Sequence, residues 1–358
     1  MKICFFAPAD STHTIKWCSW FSAHGHKVQV ISLTPGSIDG VQVHHLNNEI
    51  TAGASDFQKL GYLRSVRAVR ALVRRIQPDI LSVHYATSYG TLAALAGVHP
   101  YTLSVWGSDI YEFPRRGLLH KALLKFSLRK ADHLFSTSRA MAREAVLYTD
   151  KTFAITPFGV NTALFSPEKR TRAVGDGRFV IGTVKSLAPA YGIDRILQAA
   201  ALVKRMHPEI PLTLRIAGNG PCAEEYRALA EHLGLADAVV WLGFISQEEA
   251  AQEWANMDLA VVPSRAESFG VSAVEAQASG TPLLISDVPG LMEAGCPGES
   301  CVVVPGGDPR ALADAIAELY GDPKCREKMG AAGRRYVLNH YEVEQCFRHI
   351  ESLFQAML

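Results

Sequence analysis

Short apolar runs rich in β-branched residues alternate with helical segments along most of the chain. Residues 258–263 form one such run, and a polar loop follows it, then a helix that starts near Val271 and stops at Gly280. Consecutive strands separated by helices run parallel, and the helices then cover both faces of the sheet. The alternation therefore predicts an α/β protein with doubly wound parallel sheets, in which the loops at the carboxyl ends of the strands collect on one edge.

The alternation runs through the chain twice, and 358 residues are enough for two domains that each bury a core. Pro157, Gly159 and Pro167, together with residues 171–177, have the composition of a domain boundary. We therefore predict one domain over residues 1–165 and a second over residues 166–340.

The composition excludes several functional classes. A formal net charge of +1 gives no reason to expect nucleic-acid binding. The seven cysteines form no Cys-x-x-Cys pair, which predicts free thiols in a reducing cytoplasm and no zinc site. No window approaches about 18 consecutive apolar residues, and the apolar run at the amino terminus is too short for a signal peptide, so we expect a cytoplasmic protein.

Two glutamates, Glu267 and Glu275, stand on either side of the predicted helix start at Val271. The amides from Phe269 to Val271 have no acceptor within the helix and, together with the helix dipole, favour an anion such as a phosphate. Gly270 lets the backbone approach a ligand closely, and Glu275 is able to accept two hydrogen bonds from a vicinal diol. A bare pair of glutamates at this spacing more often marks a solvated helix face, so the neighbouring residues decide the interpretation.

Several motifs carry a resemblance to a known family. They are PSRAESFGVSAVEAQASGTP at 263–282, PGLMEAG at 289–295, PDILSVHYATSYG at 78–90, ITPFGVNTALFSP at 155–167, IAGNGP at 216–221 and WLGFIS at 241–246. Taken in the order in which they occur along the chain, they resemble the motifs of the retaining family 4 glycosyltransferases of the GT-B fold. The resemblance implies two Rossmann-like domains facing a central cleft, the first binding the acceptor and the second a nucleotide-diphosphate sugar, with a last helix of about residues 341–358 packed back on the first domain.

The resemblance also implies roles for particular residues. The catalytic residues it implies are His84, Lys185 and Glu267. On the donor side it implies Gly243, Phe244, Ile245, Ser268, Phe269, Gly270, Val271 and Glu275, and on the acceptor side His13, Trp106 and Asp109. Glu267 would orient the sugar hydroxyls, Glu275 the ribose, and residues 243–245 the nucleobase. Transfer would retain the anomeric configuration, with the leaving phosphate accepting the proton. A plain strand-end histidine at His84 and a solvated one at His13 stay open as alternatives.

The leaving phosphate must be stabilised by a positive charge. No Asp-x-Asp occurs in the chain, so we expect neither a metal nor another cofactor, and the charge must come from the protein. Lys185 directly follows the first strand of the second domain and is the best-placed cation. Ala190 and Tyr191 stand where the family commonly has a second cation, a lysine, and we leave that role open between Arg265 and Arg195.

Residues 113–130 combine six basic side chains with an apolar stripe of Leu118, Leu119, Leu123 and Phe126, and residues 60–76 form a second basic helix. Either both helices have ordinary solvated faces, or the first lies on anionic lipid. We predict the latter, hence a peripheral enzyme on the inner face of the membrane that extends a lipid-linked saccharide. A small soluble acceptor, a non-catalytic GT-B partner subunit, and an epimerase or phosphorylase on the same fold stay open.

Overall fold

The computed structural model describes residues 1–46, 60–173 and 175–358, and the chain divides into two compact units. The first unit is Met1–Pro157 together with Phe347–Leu358, and the second is Phe158–Cys346. The boundary lies at Phe158, not at residue 166, because the segment that follows Phe158 is bonded within the second unit. The amide of Val160 donates to the carbonyl oxygen of Tyr341 at 2.8 Å.

The first unit is a parallel α/β sheet. Its strands are β1 (Lys2–Phe6), β2 (Lys27–Ser32), β3 (Gln42–His45), β4 (Ile80–His84), β5 (Thr102–Val105), β6 (His133–Ser136) and β7 (Phe153–Ile155). Its helices are α1 (Thr12–Ala23), α2 (Val66–Ile76), α3 (Tyr89–Ala96), α4 (Ser108–Tyr111), α5 (Leu118–Lys130) and α6 (Arg139–Ala145). The strand order is β3-β2-β1-β4-β5-β6-β7, so the direction of winding reverses between β1 and β4.

The second unit repeats this architecture. Its strands are β8 (Phe179–Val184), β9 (Leu212–Ala217), β10 (Val239–Gly243), β11 (Leu259–Val262), β12 (Leu283–Ser286) and β13 (Cys301–Val304). Its helices are α7 (Ile193–Met206), α8 (Ala223–His232), α9 (Gln247–Asn256), α10 (Val271–Ala278), α11 (Pro289–Ala294), α12 (Pro309–Gly321) and α13 (Pro323–His340). The strand order is β10-β9-β8-β11-β12-β13, so the reversal here lies between β8 and β11. The predicted fold class, α/β with two doubly wound parallel sheets, is confirmed.

The last helix, α14 (Val343–Gln355), begins in the second unit and ends in the first. Its Phe347 ring stacks on Trp20 at 5.4 Å and meets Trp17 edge to face at 5.7 Å. One turn before the helix ends, the Glu351 carboxylate lies 2.8 Å from Nε2 of His26. The carboxyl-terminal residues therefore complete the core of the first unit.

Two predicted helices of the first unit differ from the structure. The helix predicted over residues 60–76 is a 3₁₀ segment, Leu60–Ser65, followed by α2. The helix predicted over residues 113–130 is interrupted at Gly117, which separates a 3₁₀ turn, Phe113–Arg116, from α5. The helix begins only after Gly117, and its buried face includes Leu124 and Leu128.

The four residues of the predicted apolar stripe differ in exposure. Leu118 and Leu119 are 87% and 79% exposed, whereas Leu123 and Phe126 are half-buried. Ser127, which the pattern did not single out, is buried and lies 3.0 Å from the Thr91 hydroxyl of α3. Among the described residues, no helix has the length and apolar character needed to cross a bilayer.

Candidate active site

The carboxyl ends of β8 and β11 are neighbours at the point where the second sheet reverses its winding, and such points are where doubly wound sheets bind ligands. Lys185 directly follows β8, and Glu267 lies in the loop after β11. The Lys185 Nζ atom is 2.6 Å from Oε2 of Glu267, with side chains only 11% and 9% exposed. The structure thus brings together two of the three predicted catalytic residues, 82 positions apart in the sequence.

The aromatic ring of Tyr191 completes this arrangement. The Lys185 Nζ atom lies 4.4 Å from the centre of the Tyr191 ring, within the range of a cation–π interaction. Tyr191 ends a 3₁₀ turn, Pro189–Tyr191, and Gly192 follows it with a φ of +68°. A side chain at Gly192 would collide with the carbonyl oxygen of Pro263, so the turn lies directly against the loop that carries Glu267. The sequence showed Tyr191 only as a departure from the family pattern.

Arg265 does not lie free as a second phosphate-binding cation. Its guanidinium forms a bidentate pair with Asp194, at 2.7 and 2.5 Å, and its Nη1 atom also donates to the carbonyl oxygen of Pro189 at 3.0 Å. Burial acts to raise the pKa of Asp194, but the hydrogen bond and charge of Arg265 hold it below its usual range. The backbone amide of Arg265 donates to the carbonyl oxygen of Ala190 at 2.7 Å. Arg265 therefore fastens the loop after β11 to the turn that carries Tyr191.

Arg195, the other candidate for the second cation, is also engaged. Its Nη1 atom donates to the carbonyl oxygen of Pro263 at 3.2 Å. Burial and the neighbouring charge of Arg265 both lower its pKa. Of the three candidate cations, Lys185 alone is paired with a predicted catalytic residue, and the two arginines hold the loops around it.

The helix start at Val271 agrees with the prediction. Gly270 precedes it with a φ of +90°, and a Cβ atom there would lie 2.8 Å from a methyl carbon of Leu291. The Ser272 hydroxyl donates to the carbonyl oxygen of Val184 at 3.0 Å, which fixes the amino end of α10 beside the end of β8. Ser268 precedes this start in the loop, and Phe269 is buried, its ring meeting Tyr341 at 5.0 Å. The Phe269 side chain is thus part of the core, and only its backbone faces the loop.

The remaining donor-side residues lie at the same edge of the second sheet. Glu275 is half-buried at the start of the second turn of α10. Gly243 ends β10, and its carbonyl oxygen accepts a hydrogen bond from the amide of Gly218 at 2.6 Å. Phe244, the next residue, is 87% exposed, and Ile245 is half-buried. An exposed aromatic ring at a strand end provides a flat apolar surface for a base.

In the first unit, His84 lies at the end of β4 but is fully buried. Its ring is surrounded by Trp106 at 4.7 Å, Trp17 at 4.9 Å and Phe5 at 5.5 Å. Its Nε2 atom lies 3.2 Å from the Ser82 hydroxyl, and among the described residues Nδ1 has no hydrogen-bond partner. Burial, with a smaller contribution from His13, lowers the pKa of His84 to about 3. The imidazole is therefore neutral at pH 7 and enclosed.

His13 and Trp106 lie together beside His84. His13 is in the first turn of α1, not in a loop, and its half-buried ring meets Trp106 edge to face at 5.7 Å. Burial, and to a lesser extent Lys16, lowers the pKa of His13 to about 4. Trp106 is buried, and its ring contacts both histidines.

The Asp109 carboxylate is bonded to backbone amides of this region. It is fully buried and accepts hydrogen bonds from the amides of Ala86 at 3.0 Å, Trp106 at 3.2 Å and Gly107 at 2.9 Å. Burial raises the pKa of the Asp109 carboxyl, and these amides oppose the rise. The carboxylate joins the loop after β5 to the loop after β4, so its observed contacts are structural, and an acceptor-side role for it stays a prediction.

Two family models match the chain. The model described as "Glycosyl transferase 4-like" matches residues 2–138, and the model described as "Glycosyl transferases group 1" matches residues 166–336. The first match lies within the first compact unit and the second within the second unit.

Curated relatives carry glycosyltransferase names. The D-inositol 3-phosphate glycosyltransferase of Corynebacterium diphtheriae is 28% identical over 335 residues, 87% of this chain and 76% of that protein. The protein of the same name from Corynebacterium urealyticum is 34% identical over 220 residues, 57% of this chain and 50% of that protein. A GDP-mannose-dependent alpha-(1-6)-phosphatidylinositol monomannoside mannosyltransferase of Mycolicibacterium smegmatis is 32% identical over 200 residues. The chain spans about half the length of most of the curated relatives it matches.

Solved structures show the same architecture over nearly the whole chain. The sucrose-phosphate synthase of Thermosynechococcus elongatus has a TM-score of 0.85 at 22% identity, covering 100% of this chain and 99% of that one. The Anabaena protein HepE, solved in complex with UDP and glucose, has a TM-score of 0.80 at 18% identity, covering 99% of each chain. These likenesses confirm the GT-B fold that the sequence resemblance implied.

Proposed function

We infer that this chain, which consists of a glycosyl transferase 4-like domain followed by a glycosyl transferases group 1 domain, is a family 4 type glycosyltransferase that moves a sugar from a UDP-linked donor to a hydroxyl group. The observation that carries this is the Lys185–Glu267 ion pair at the switch point of the second sheet. A cation, a carboxylate and a helix amino end at one sheet edge are the groups that a sugar diphosphate requires.

The proposed reaction depends on the positive groups at the carboxyl edge of the second sheet. As the glycosidic bond to phosphate breaks, negative charge grows on the nucleoside diphosphate, and the Lys185 ammonium and the first amides of α10 stabilise it. We propose that the reaction needs no metal. The Glu267 carboxylate accepts a hydrogen bond from Lys185 at 2.6 Å, and its role in this proposal is to orient the sugar hydroxyls. The acceptor hydroxyl then attacks the sugar carbon on the face that the phosphate leaves: its oxygen forms the new glycosidic bond as the bond to phosphate breaks, its proton passes to the leaving phosphate, and the configuration is retained.

The rest of the donor lies along the same edge. The Glu275 carboxylate accepts hydrogen bonds from the ribose diol, and the exposed ring of Phe244 stacks on the base. Two similar proteins, one solved in complex with UDP and one named as GDP-mannose-dependent, support a nucleotide donor. A panel of UDP- and GDP-sugars, tested for the rise in melting temperature that each produces, identifies the donor.

Glu275→Ala tests the donor site directly. We expect UDP binding, measured by calorimetry, to weaken by about 10- to 100-fold, because a hydrogen bond to a charged group contributes roughly 1.5–3 kcal/mol. Glu318→Ala is a matched control, since Glu318 is exposed near the carboxyl end of α12. Unchanged UDP affinity in Glu275→Ala would remove this residue from the site. Wild-type protein that binds neither UDP nor GDP and releases no nucleoside diphosphate would favour a non-catalytic partner subunit.

We propose a lipid-linked saccharide as the acceptor, because the first unit exposes an apolar patch with a basic rim. The patch consists of Leu118, Leu119, Val146 and Leu147, which are 87%, 79%, 62% and 63% exposed. Two contacts connect residues 115–121 with residues 144–148. The Arg115 guanidinium lies 3.3 Å from the Glu144 carboxylate, and the Lys121 Nζ atom lies 6.0 Å from the centre of the Tyr148 ring. Exposed leucines with basic neighbours suit the headgroup layer of an anionic membrane.

Vesicle sedimentation tests the patch. The test variant carries glutamine at the four basic positions Arg115, Arg116, Lys121 and Lys125, and the control variant carries glutamine at four exposed arginines near or on α2, Arg64, Arg67, Arg74 and Arg75. We expect wild type and control to bind anionic vesicles at low salt and the test variant to stay in solution. Equal binding by all three, or no binding by wild type, would refute a membrane role for the patch.

The relatives named D-inositol 3-phosphate glycosyltransferase favour a second candidate, a small soluble acceptor. If the patch fails the vesicle test, transfer to D-inositol 3-phosphate is the reaction to assay first.

A further inference from the structure

We propose that Tyr191 is a positioning residue, whose ring holds the Lys185 ammonium in place so that it meets the diphosphate of the donor. The proposal rests on the proposed function, because it deepens the role of the same site. It starts from one contact: the centre of the Tyr191 ring lies 4.4 Å from the Lys185 Nζ atom.

The ammonium of Lys185 contacts one carboxylate and one aromatic ring. Glu267 Oε2 lies 2.6 Å from Nζ, and the centre of the Tyr191 ring lies 4.4 Å from it. The two contacts have different consequences for charge. A carboxylate neutralises the ammonium, whereas the face of an aromatic ring attracts it and leaves its full charge available to a phosphate. A lysine at residue 191 would instead repel Lys185 at this distance.

The backbone holds the ring firmly enough to act in this way. The Tyr191 amide donates to the carbonyl oxygen of Ala188 at 3.1 Å, which closes the 3₁₀ turn. The carbonyl oxygen of Ala190 accepts hydrogen bonds from the amides of Arg265 at 2.7 Å and Ala266 at 3.2 Å. The ring therefore moves with the loop that carries Glu267, and the lysine, whose stem has four methylene groups, is the flexible member that needs support.

Tyr191→Leu and Tyr191→Phe test the proposal against UDP and uridine. We expect Tyr191→Leu to weaken UDP binding by about 3- to 30-fold, the range of a cation–π contact, and to leave uridine binding unchanged, because Lys185 meets the phosphates and not the base. Tyr191→Phe keeps the ring and should bind UDP like the wild type. Tyr320→Leu is the matched control, since its ring packs on Phe179 at the opposite end of β8.

Three results would overturn the proposal. UDP affinity unchanged in Tyr191→Leu would show that the ring does not act on the cation. Equal weakening of UDP and uridine would show a merely structural role. A Tyr191→Phe variant as weak as Tyr191→Leu would assign the effect to the hydroxyl group.

A binding-independent measurement separates this proposal from the proposed function. If the wild type binds no nucleotide, the proposed function fails, and urea unfolding of Tyr191→Leu, Lys185→Met and the double variant still tests the contact. Coupled residues give a double variant that is less destabilised than the sum of the single variants. Additive shifts of the unfolding midpoint would overturn the positioning role as well.

Discussion

Replacing Lys185 by methionine should destabilise the protein far more than losing a surface charge would. Methionine keeps the length of the stem but leaves the Glu267 carboxylate, 9% exposed, with only a long contact to the Ser264 hydroxyl, at 3.5 Å, among the described residues. Breaking a buried ion pair on one side costs roughly 3–5 kcal/mol, because the other charge stays desolvated. Since both side chains keep about a tenth of their surface exposed, we expect about 2–4 kcal/mol here.

The double variant Lys185→Met with Glu267→Gln distinguishes this explanation from ordinary loss of packing. With no charge left, the double variant should return to within about 1 kcal/mol of the wild type, as neutral replacements of buried pairs often do. Urea unfolding followed by circular dichroism measures the wild type, Lys185→Met, Glu267→Gln and the double variant. Sugar transfer should be absent in the double variant despite its recovered stability. A single variant that loses less than about 1 kcal/mol, or a double variant that is more damaged than either single one, would refute the reasoning.

Three further predictions concern the metal and the first unit. Activity should persist in excess chelator, and loss of turnover that magnesium or manganese restores would contradict the assignment of charge stabilisation to Lys185. Asp109→Ala should lower the free energy of unfolding by about 3 kcal/mol, because three backbone amides lose their acceptor; a loss under about 1 kcal/mol would contradict that role. The pKa of His84, about 3, lies below its ordinary 6.5, so the unfolded chain takes up a proton first as the pH falls. The contribution of His84 to stability should then be complete above about pH 6.5 and drop by roughly 2 kcal/mol between pH 7 and 5, and His13, with a pKa of about 4, should add a similar drop. His84→Phe should therefore remove about half of the total slope, and an equally steep His84→Phe curve would disprove this role.

The fold was predictable because its signals are local. A buried strand of a parallel sheet is a short β-branched run, and the glycines at 270 and 280 mark where α10 begins and ends. The helix boundaries that were predicted wrongly lie where the local sequence signal is weak. Gly117 stands within a continuous basic, leucine-rich pattern, and the pattern hid the break that turns Leu118 and Leu119 outward.

The site was predictable only as a set of positions on one sheet edge. Lys185 and Glu267 each follow a strand, and adjacency of β8 and β11 brings them together. Which of the neighbouring arginines is bound to a carboxylate depends on contacts between segments about 70 residues apart, such as Arg265 with Asp194. Sequence spacing carries no information about such a pair, so Arg265 was predicted as a possible ligand cation and is found fastening two loops.

His84 shows a second limit of predicting a site from strand positions alone. A strand-end position places a residue at the active edge, but side chains alternate between the two faces of a strand, and in a doubly wound sheet both faces are covered by helices. Here the His84 ring contacts Trp17 of α1 and Trp106 and is fully buried. His13, whose ring also contacts Trp106, is half-buried and is thus the more accessible of the two histidines, so we expect an acceptor bound to this unit to meet His13 before His84.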